Sequence, residues 1–138
     1  MAVLMELSRI LIRELNDVQI IELREVAPVG ERARSFPIVI GLPEAYAIQR
    51  RLKGVTIKRP QTHDLLGNVI EQLGGELESI TIADLSEHTF FATLDVRRQG
   101  ELMHIDSRPS DAIALGVAHK VPIYVEEHVL EAAQNEEP

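Results

Sequence analysis

The chain has 138 residues, a formal charge of −8, 3 Phe, 2 Tyr, and neither Trp nor Cys. Disulfides, a thiolate nucleophile and a Cys-based zinc site are excluded, and the core must be built from aliphatic side chains. The acidic balance argues against the broad basic surface with which a general nucleic-acid binder displaces counterions, and no apolar run reaches the length of a membrane span.

Residues 3–12 read as a first strand, and Asn16-Asp17 signals a turn. Residues 18–26 return as a second strand. Its apolar positions change parity between Ile20 and Ile21, which calls for a bulge or for burial on both faces. A polar loop over 28–34, with Gly30 inside it, leads to a short third strand over 36–40. Residues 42–53 read as a helix with Pro43 and Glu44 in its first turn, Gly54 as its stop, and Ala45, Ile48 and Leu52 on one face. Arg50, Arg51, Lys53, Lys58 and Arg59 form the one dense basic cluster.

A second helix is expected over 62–73, capped by Thr62 and closed by Gly74-Gly75. Strands follow over 77–85, 88–97 and 102–107, joined by turns at Ser86-Glu87 and Gln99-Gly100. Phe90, Ala92, Leu94 and Val96 share one face of the middle strand, while Phe91, Thr93, Asp95 and Arg97 share the other. A helix from Pro109 to about Lys120, a last strand over 123–125 and a terminal helix over 127–133 complete the chain. The order βββααβββαβ(α) predicts an α+β single domain with a large mixed, mostly antiparallel sheet. The domain is expected to span 1–130, with an acidic tail over 131–138 and solvation from Glu126 onward. Glu6, Arg9 and Arg13 interrupt the first apolar residues, so no signal-peptide layout is seen and the expected compartment is the cytoplasm.

Two stretches share one grammar. Arg59-Pro60-Gln61-Thr62-His63-Asp64 and Arg108-Pro109-Ser110-Asp111 each run from a guanidinium through a proline to a hydroxyl and an acid that open an apolar helix. Proline presets the first helical φ, and the unpaired N–H groups of a first turn favour negative charge. The two junctions are expected to face each other, so that Asp64, Asp106, Arg108 and Asp111 share one cleft.

The segments Phe36-Pro37-Ile38-Val39-Ile40-Gly41, Glu44-Ala45, Arg59-Pro60, Thr62-His63-Asp64-Leu65-Leu66, Thr89-Phe90, and Asp106 with Arg108-Pro109-Ser110-Asp111-Ala112-Ile113-Ala114-Leu115 occur in this order and spacing. The pattern resembles the bifunctional nuclease domain family from Met5 to about Leu130. The resemblance implies a compact α+β domain with a large mixed sheet, usually oligomeric, and hydrolysis of both DNA and RNA in some members. Three positions depart from the pattern: Val39 stands in place of a large aromatic, Ser107 in place of Ala, and Phe91 in place of Tyr, which removes one candidate hydroxyl. Some relatives continue into a helical-hairpin module, where an acidic tail is expected here.

Asp64, Asp106 and Asp111, with Glu44 as a fourth acid, are candidate oxygen ligands for Mg²⁺ or Mn²⁺, which would stabilise charge on a phosphate and activate a water. The structural alternative has Asp64 and Asp111 neutralising helix N-termini and Asp106 pairing with Arg59 or Arg108. Arg59 and Arg108 are candidate phosphate clamps, with Ser110 beside them, or members of an Arg–Asp network. Serine after proline more commonly caps a helix. His63 is a candidate general base, general acid or metal ligand, or a histidine bonded only for structure. His88, His104, His119 and His128 read as surface or packing residues. No glycine-rich phosphate loop or nucleophile elbow is present. The expected function is a metal-dependent nuclease acting on DNA and RNA, with no membrane partner. The alternative is a non-catalytic regulatory or small-anion- or partner-binding domain in which the same residues are structural. Exposed sheet edges predict a homo-oligomer, a dimer first and a trimer second, whose basic residues would line a shared groove.

Overall fold

A computed structural model describes residues 1–55 and 58–136; residues 137 and 138 of the expected tail lie outside the described residues. The elements are β1 (Ala2–Leu11), β2 (Gln19–Glu25), β3 (Ser35–Ile40), α1 (Leu42–Lys53), α2 (Thr62–Gln72), β4 (Gly75–Ser86), β5 (Thr89–Arg98), β6 (Glu101–Ser107), α3 (Pro109–His119), β7 (Ile123–Glu126) and α4 (Glu127–Glu136). Element types and order agree with the α+β expectation.

The strands form a seven-stranded sheet in the order β3-β2-β1-β7-β4-β5-β6. Each three-strand meander is antiparallel, and β7 lies between them, antiparallel to β1 and parallel to β4. Both tight hairpins use residues with positive φ: Glu87 (49°) with His88 (66°), and Gln99 (50°) with Gly100 (80°). Paired left-handed residues give a turn whose twist matches that of the strands.

Phe36 of β3 and Phe90 of β5 stack with ring centroids 5.3 Å apart. These strands stand five places apart, and a flat sheet would hold them on the order of 24 Å apart. The sheet therefore curls, and its concave side encloses an aliphatic core that includes Leu23, Ile82, Leu94 and Val125. Ile48 of α1, Ile113 and Leu115 of α3, and Val129 and Leu130 of α4 fill the same core.

Three expectations change. The bulge falls in β1, between Leu7 and Arg9, while β2 stays regular with Gln19, Ile21, Leu23 and Glu25 inward. Parity seemed broken because two inward positions are polar. Gln19 donates to the carbonyls of Arg13 (2.9 Å) and Asn16 (2.7 Å). Glu25, 3% exposed, accepts from Arg34 Nε at 3.0 Å. Arg34 also donates to Glu127 of α4 at 2.7 Å. The hydrogen bond from Arg34 outweighs burial and holds the Glu25 carboxyl below its ordinary range. Second, Leu52 is largely exposed, so the buried face of α1 rests on Ala45, Ala47 and Ile48. Third, the stretch from Glu126 is solvated on one side only, because α4 buries Val129, Leu130 and Ala133. Among the described residues, no helix is long and apolar enough to cross a membrane.

Candidate active site at converging helix N-termini

Helix α2 starts after Gln61 rather than being capped by Thr62. Asp64, three residues on, reaches back and accepts the Gln61 N–H at 3.0 Å. That is half of a capping box, and it explains the placement: an acid at the third helical position serves the residue three before it. Arg51, in the last turn of α1, donates from Nη2 to the same Asp64 oxygen (3.1 Å) and from Nη1 to the Ala47 carbonyl (2.8 Å). Its side chain is only 6% exposed, so it is a buried strut rather than part of a basic surface. Arg50 Nε donates to the Gln61 side chain at 3.1 Å.

Helix α3 starts after Arg108, whose extended backbone (φ −68°, ψ 145°) is what the following Pro109 favours. Arg108 meets Asp111, three residues on, with two donors: Nε at 2.9 Å and Nη2 at 3.3 Å. Its Nη1 donates to Glu44 of α1 at 3.3 Å. His63, in the first turn of α2, places Nε2 3.0 Å from Asp111 Oδ1. Burial pushes the Asp111 carboxyl up, but hydrogen bonds from Arg108 and His63 more than reverse this and leave it lowered. Asp111 is thus a carboxylate, which only accepts. The shared proton belongs to His63 Nε2, and in a neutral ring Nδ1 is left as a base.

The first-turn residues Glu44 and Asp111 therefore share the Arg108 guanidinium, and His63 of a third helix joins them through Asp111. They line a cleft of about 290 Å³ together with Ala47, Arg50, Arg51, Gln61 and Arg108. A larger cleft of about 570 Å³ lies beyond, between residues 37–41, the β4–β5 turn and Arg108-Pro109-Ser110. Glu44 and Arg108 line both.

Residues 23–138 match the bifunctional nuclease domain. The chain belongs to that family. A Mycobacterium tuberculosis protein named as uncharacterized is 45% identical over 100 residues, which cover 72% of this chain and 59% of the relative. Bifunctional nuclease 1 of Arabidopsis thaliana is 26% identical over 97 residues, covering 68% of this chain and 30% of the plant protein. Bifunctional nuclease 1 of Oryza sativa subsp. indica is 22% identical over 125 residues, covering 83% and 38%. The chain thus spans about three fifths of the mycobacterial relative and less than two fifths of these plant ones.

In this bifunctional nuclease domain the two proline junctions do come together, through His63 and Asp111. Asp106 does not join them. It pairs across β6–β5 with Thr93, on the face of the sheet turned away from the core, and among the described residues it has no ion pair or hydrogen bond. Arg108 takes Asp111 and Glu44 instead, so the expected Asp106–arginine pair is absent. Arg59 is exposed at a bend, with no partner among the described residues. Ser110 is buried, makes no capping bond and lines the larger cleft.

The acids expected to hold Mg²⁺ or Mn²⁺ are Asp64, Asp106 and Asp111, with Glu44. Among the described residues, no group of three or more His, Asp and Glu side chains could hold a metal ion. Asp64 is occupied by Arg51, and Asp111 by Arg108 and His63. The triad Asp64, Asp106 and Asp111 is therefore not assembled as a ligand set, because strand alternation turns Asp106 away. Sequence reasoning missed two buried polar groups. One is Arg51, hidden within a run of basic residues. The other is Asp95, which accepts from Ser79 (2.7 Å), Thr81 (2.7 Å), Thr93 (2.9 Å) and His104 Nδ1 (2.8 Å). The alternation of polar residues on facing strands was the signal for the second.

Proposed function

We propose that this chain is a nuclease that hydrolyses phosphodiester bonds of DNA and RNA at the Arg108–Asp111–His63 junction. The observation that carries the reading is the His63–Asp111 pair, 3.0 Å apart beside a 64% exposed arginine in the smaller cleft. Family membership and the printed names of the plant relatives support the chemistry. Arg108 has donors left over to meet a phosphate, and its planar fork matches two phosphate oxygens. Asp111 orients the His63 ring, and Nδ1 accepts the proton of an attacking water as its oxygen bonds to phosphorus. The P–O bond to the leaving nucleotide breaks in line with the attack. Dependence on Mg²⁺ or Mn²⁺ belongs to the proposal as a property to be measured, and no step above uses the ion. A cytoplasmic location belongs to it too, resting on the cysteine-free composition.

A second reading, a regulatory or anion-binding domain without catalysis, is favoured by one observation: Asp64 and Asp111 already have basic partners. Purified chain incubated with single-stranded DNA and RNA, with and without each cation and chelator, separates the two. The nuclease reading expects cutting that disappears in Asp111→Asn and in His63→Ala, with the thermal midpoint nearly unchanged. Cutting that survives both substitutions, or none in the parent chain, defeats it.

A further inference from the structure

The larger cleft plays no part in the reaction above. Ile38, Val39, Phe90 and Pro109 give it apolar wall, Asp17, His88, Thr89 and Ser110 give it polar wall, and Glu44 and Arg108 also line it. Glu44 gives one oxygen to Arg108 at 3.3 Å. Its other oxygen, Oε2, is buried and has no hydrogen-bond partner among the described residues. That oxygen lies over Gly41, where a Cβ would strike it, so the glycine makes room for the carboxylate. A buried acceptor left unpaired costs on the order of 1–3 kcal/mol, and it marks a place where a donor belongs.

We infer that this cleft is a nucleoside subsite that holds an amino-bearing base beside the phosphate engaged by Arg108. The inference rests on the nuclease reading for its choice of ligand and deepens it. A volume of about 570 Å³ is in the range of small-ligand pockets. A base brings a flat apolar body for the walls and an N–H donor for Glu44, and its phosphate lies where Arg108 is shared between the two clefts. The last torsion of a glutamate is soft, so a small turn of the carboxylate brings Oε2 to the ligand. Cytosine, adenine and guanine offer an exocyclic amino group. The single N–H of uracil lies between two carbonyl oxygens, which repel a carboxylate.

The test is equilibrium binding of CMP, UMP and inorganic phosphate to the intact chain, read by calorimetry without any cleavage step. CMP is expected to bind at least about tenfold more tightly than phosphate and severalfold more tightly than UMP. Glu44→Gln is expected to erase the preference for CMP over UMP. Thr89→Trp, at the exposed start of β5, is expected to block the cleft and reduce CMP binding to the level of phosphate. If CMP binds no better than phosphate, or if Glu44→Gln keeps the base preference, the subsite is refuted. Base-selective binding by a chain that never cuts nucleic acid upholds the subsite and defeats the nuclease reading, so the two fail separately.

Discussion

Asp95 is 3% exposed, yet it lies on the face of β5 away from the helices. Burial pushes its carboxyl up, and hydrogen bonds from Thr81, His104, Ser79 and Thr93 outweigh that, leaving it below the ordinary aspartate range. A folded value below the unfolded one means a contribution that is complete above the ordinary carboxylate range. It is lost as pH falls through the folded value. Acid titration of the thermal midpoint is therefore expected to show a steep loss below about pH 4. Asp95→Asn should flatten that limb and cost about 2 kcal/mol at neutral pH, since hydrogen bonds to a charged group are the strong ones. An unchanged acid limb in the variant would remove Asp95 from this role. The side of the strand was legible, because Thr93, Asp95 and Arg97 alternate with Ala92, Leu94 and Val96. The burial was not, because it depends on which hydroxyls neighbouring strands place around the carboxylate. Asp106 shows the converse: alternation with Met103 and Ile105 already assigned it to the outer face, and its closeness in sequence to Asp111 obscured that.

Helices α2 and α3 approach where Gly67 faces His119, and a Cβ on Gly67 would overlap the imidazole. Glycine inside a helix costs about 1 kcal/mol relative to alanine, so the position gives up propensity for closeness. The atoms in the way are the ring end of the exposed His119, which can swing aside, so Gly67→Ala is expected to stabilise by up to about 1 kcal/mol. Chemical denaturation will show this, and a clear destabilisation by Gly67→Ala that His119→Ala relieves would mean instead that the imidazole is fixed in place. Arg34 works between other elements, tying β2 to α4 through Glu25 and Glu127. Arg34→Ala leaves Glu25 buried without its cation and should cost about 3 kcal/mol in the same assay; a cost below about 1 kcal/mol would show that Glu25 finds other partners. Element bounds were legible where punctuation is strong. Helix α1 ends at Gly54, whose φ of 63° suits glycine. Helix α2 starts at Thr62 as expected, but its cap is Gln61: Thr62 is the better cap by type, while the Asp64 spacing selects Gln61.

At the scale of the whole molecule, the meanders were legible from turn pairs and alternation, and the mixed sheet from their order. The curl was not, since nothing local in β3 or β5 says that Phe36 and Phe90 will stack. The candidate site was legible in its proline junctions and lost where long side chains choose partners, as Arg51 does. The sheet ends at β3 and β6. Strand β6 leaves Leu102, Met103 and Ile105 partly exposed, and edges of this kind are commonly covered by another chain. We propose a homo-oligomer, a dimer before a trimer, with Arg50, Lys53 and Lys58 of several copies along a shared groove. Light scattering over a dilution series should give a multiple of 15.4 kDa at micromolar concentration; a monomer mass throughout rejects both the assembly and the groove.

Strand β7 comes last in sequence among the strands of the sheet and sits in its middle, bonded to β1 on one side and β4 on the other. During synthesis, both meanders leave the ribosome before the strip that joins them. Until residues 123–126 emerge, β1 and β4 each wait with an open edge, and the nascent chain is two half-sheets rather than a domain. Such edges are what chaperones shield and what misassembly exploits. Closure of this sheet is thus timed by β7, so vulnerability to aggregation should be concentrated in the interval before residues 123–126 emerge.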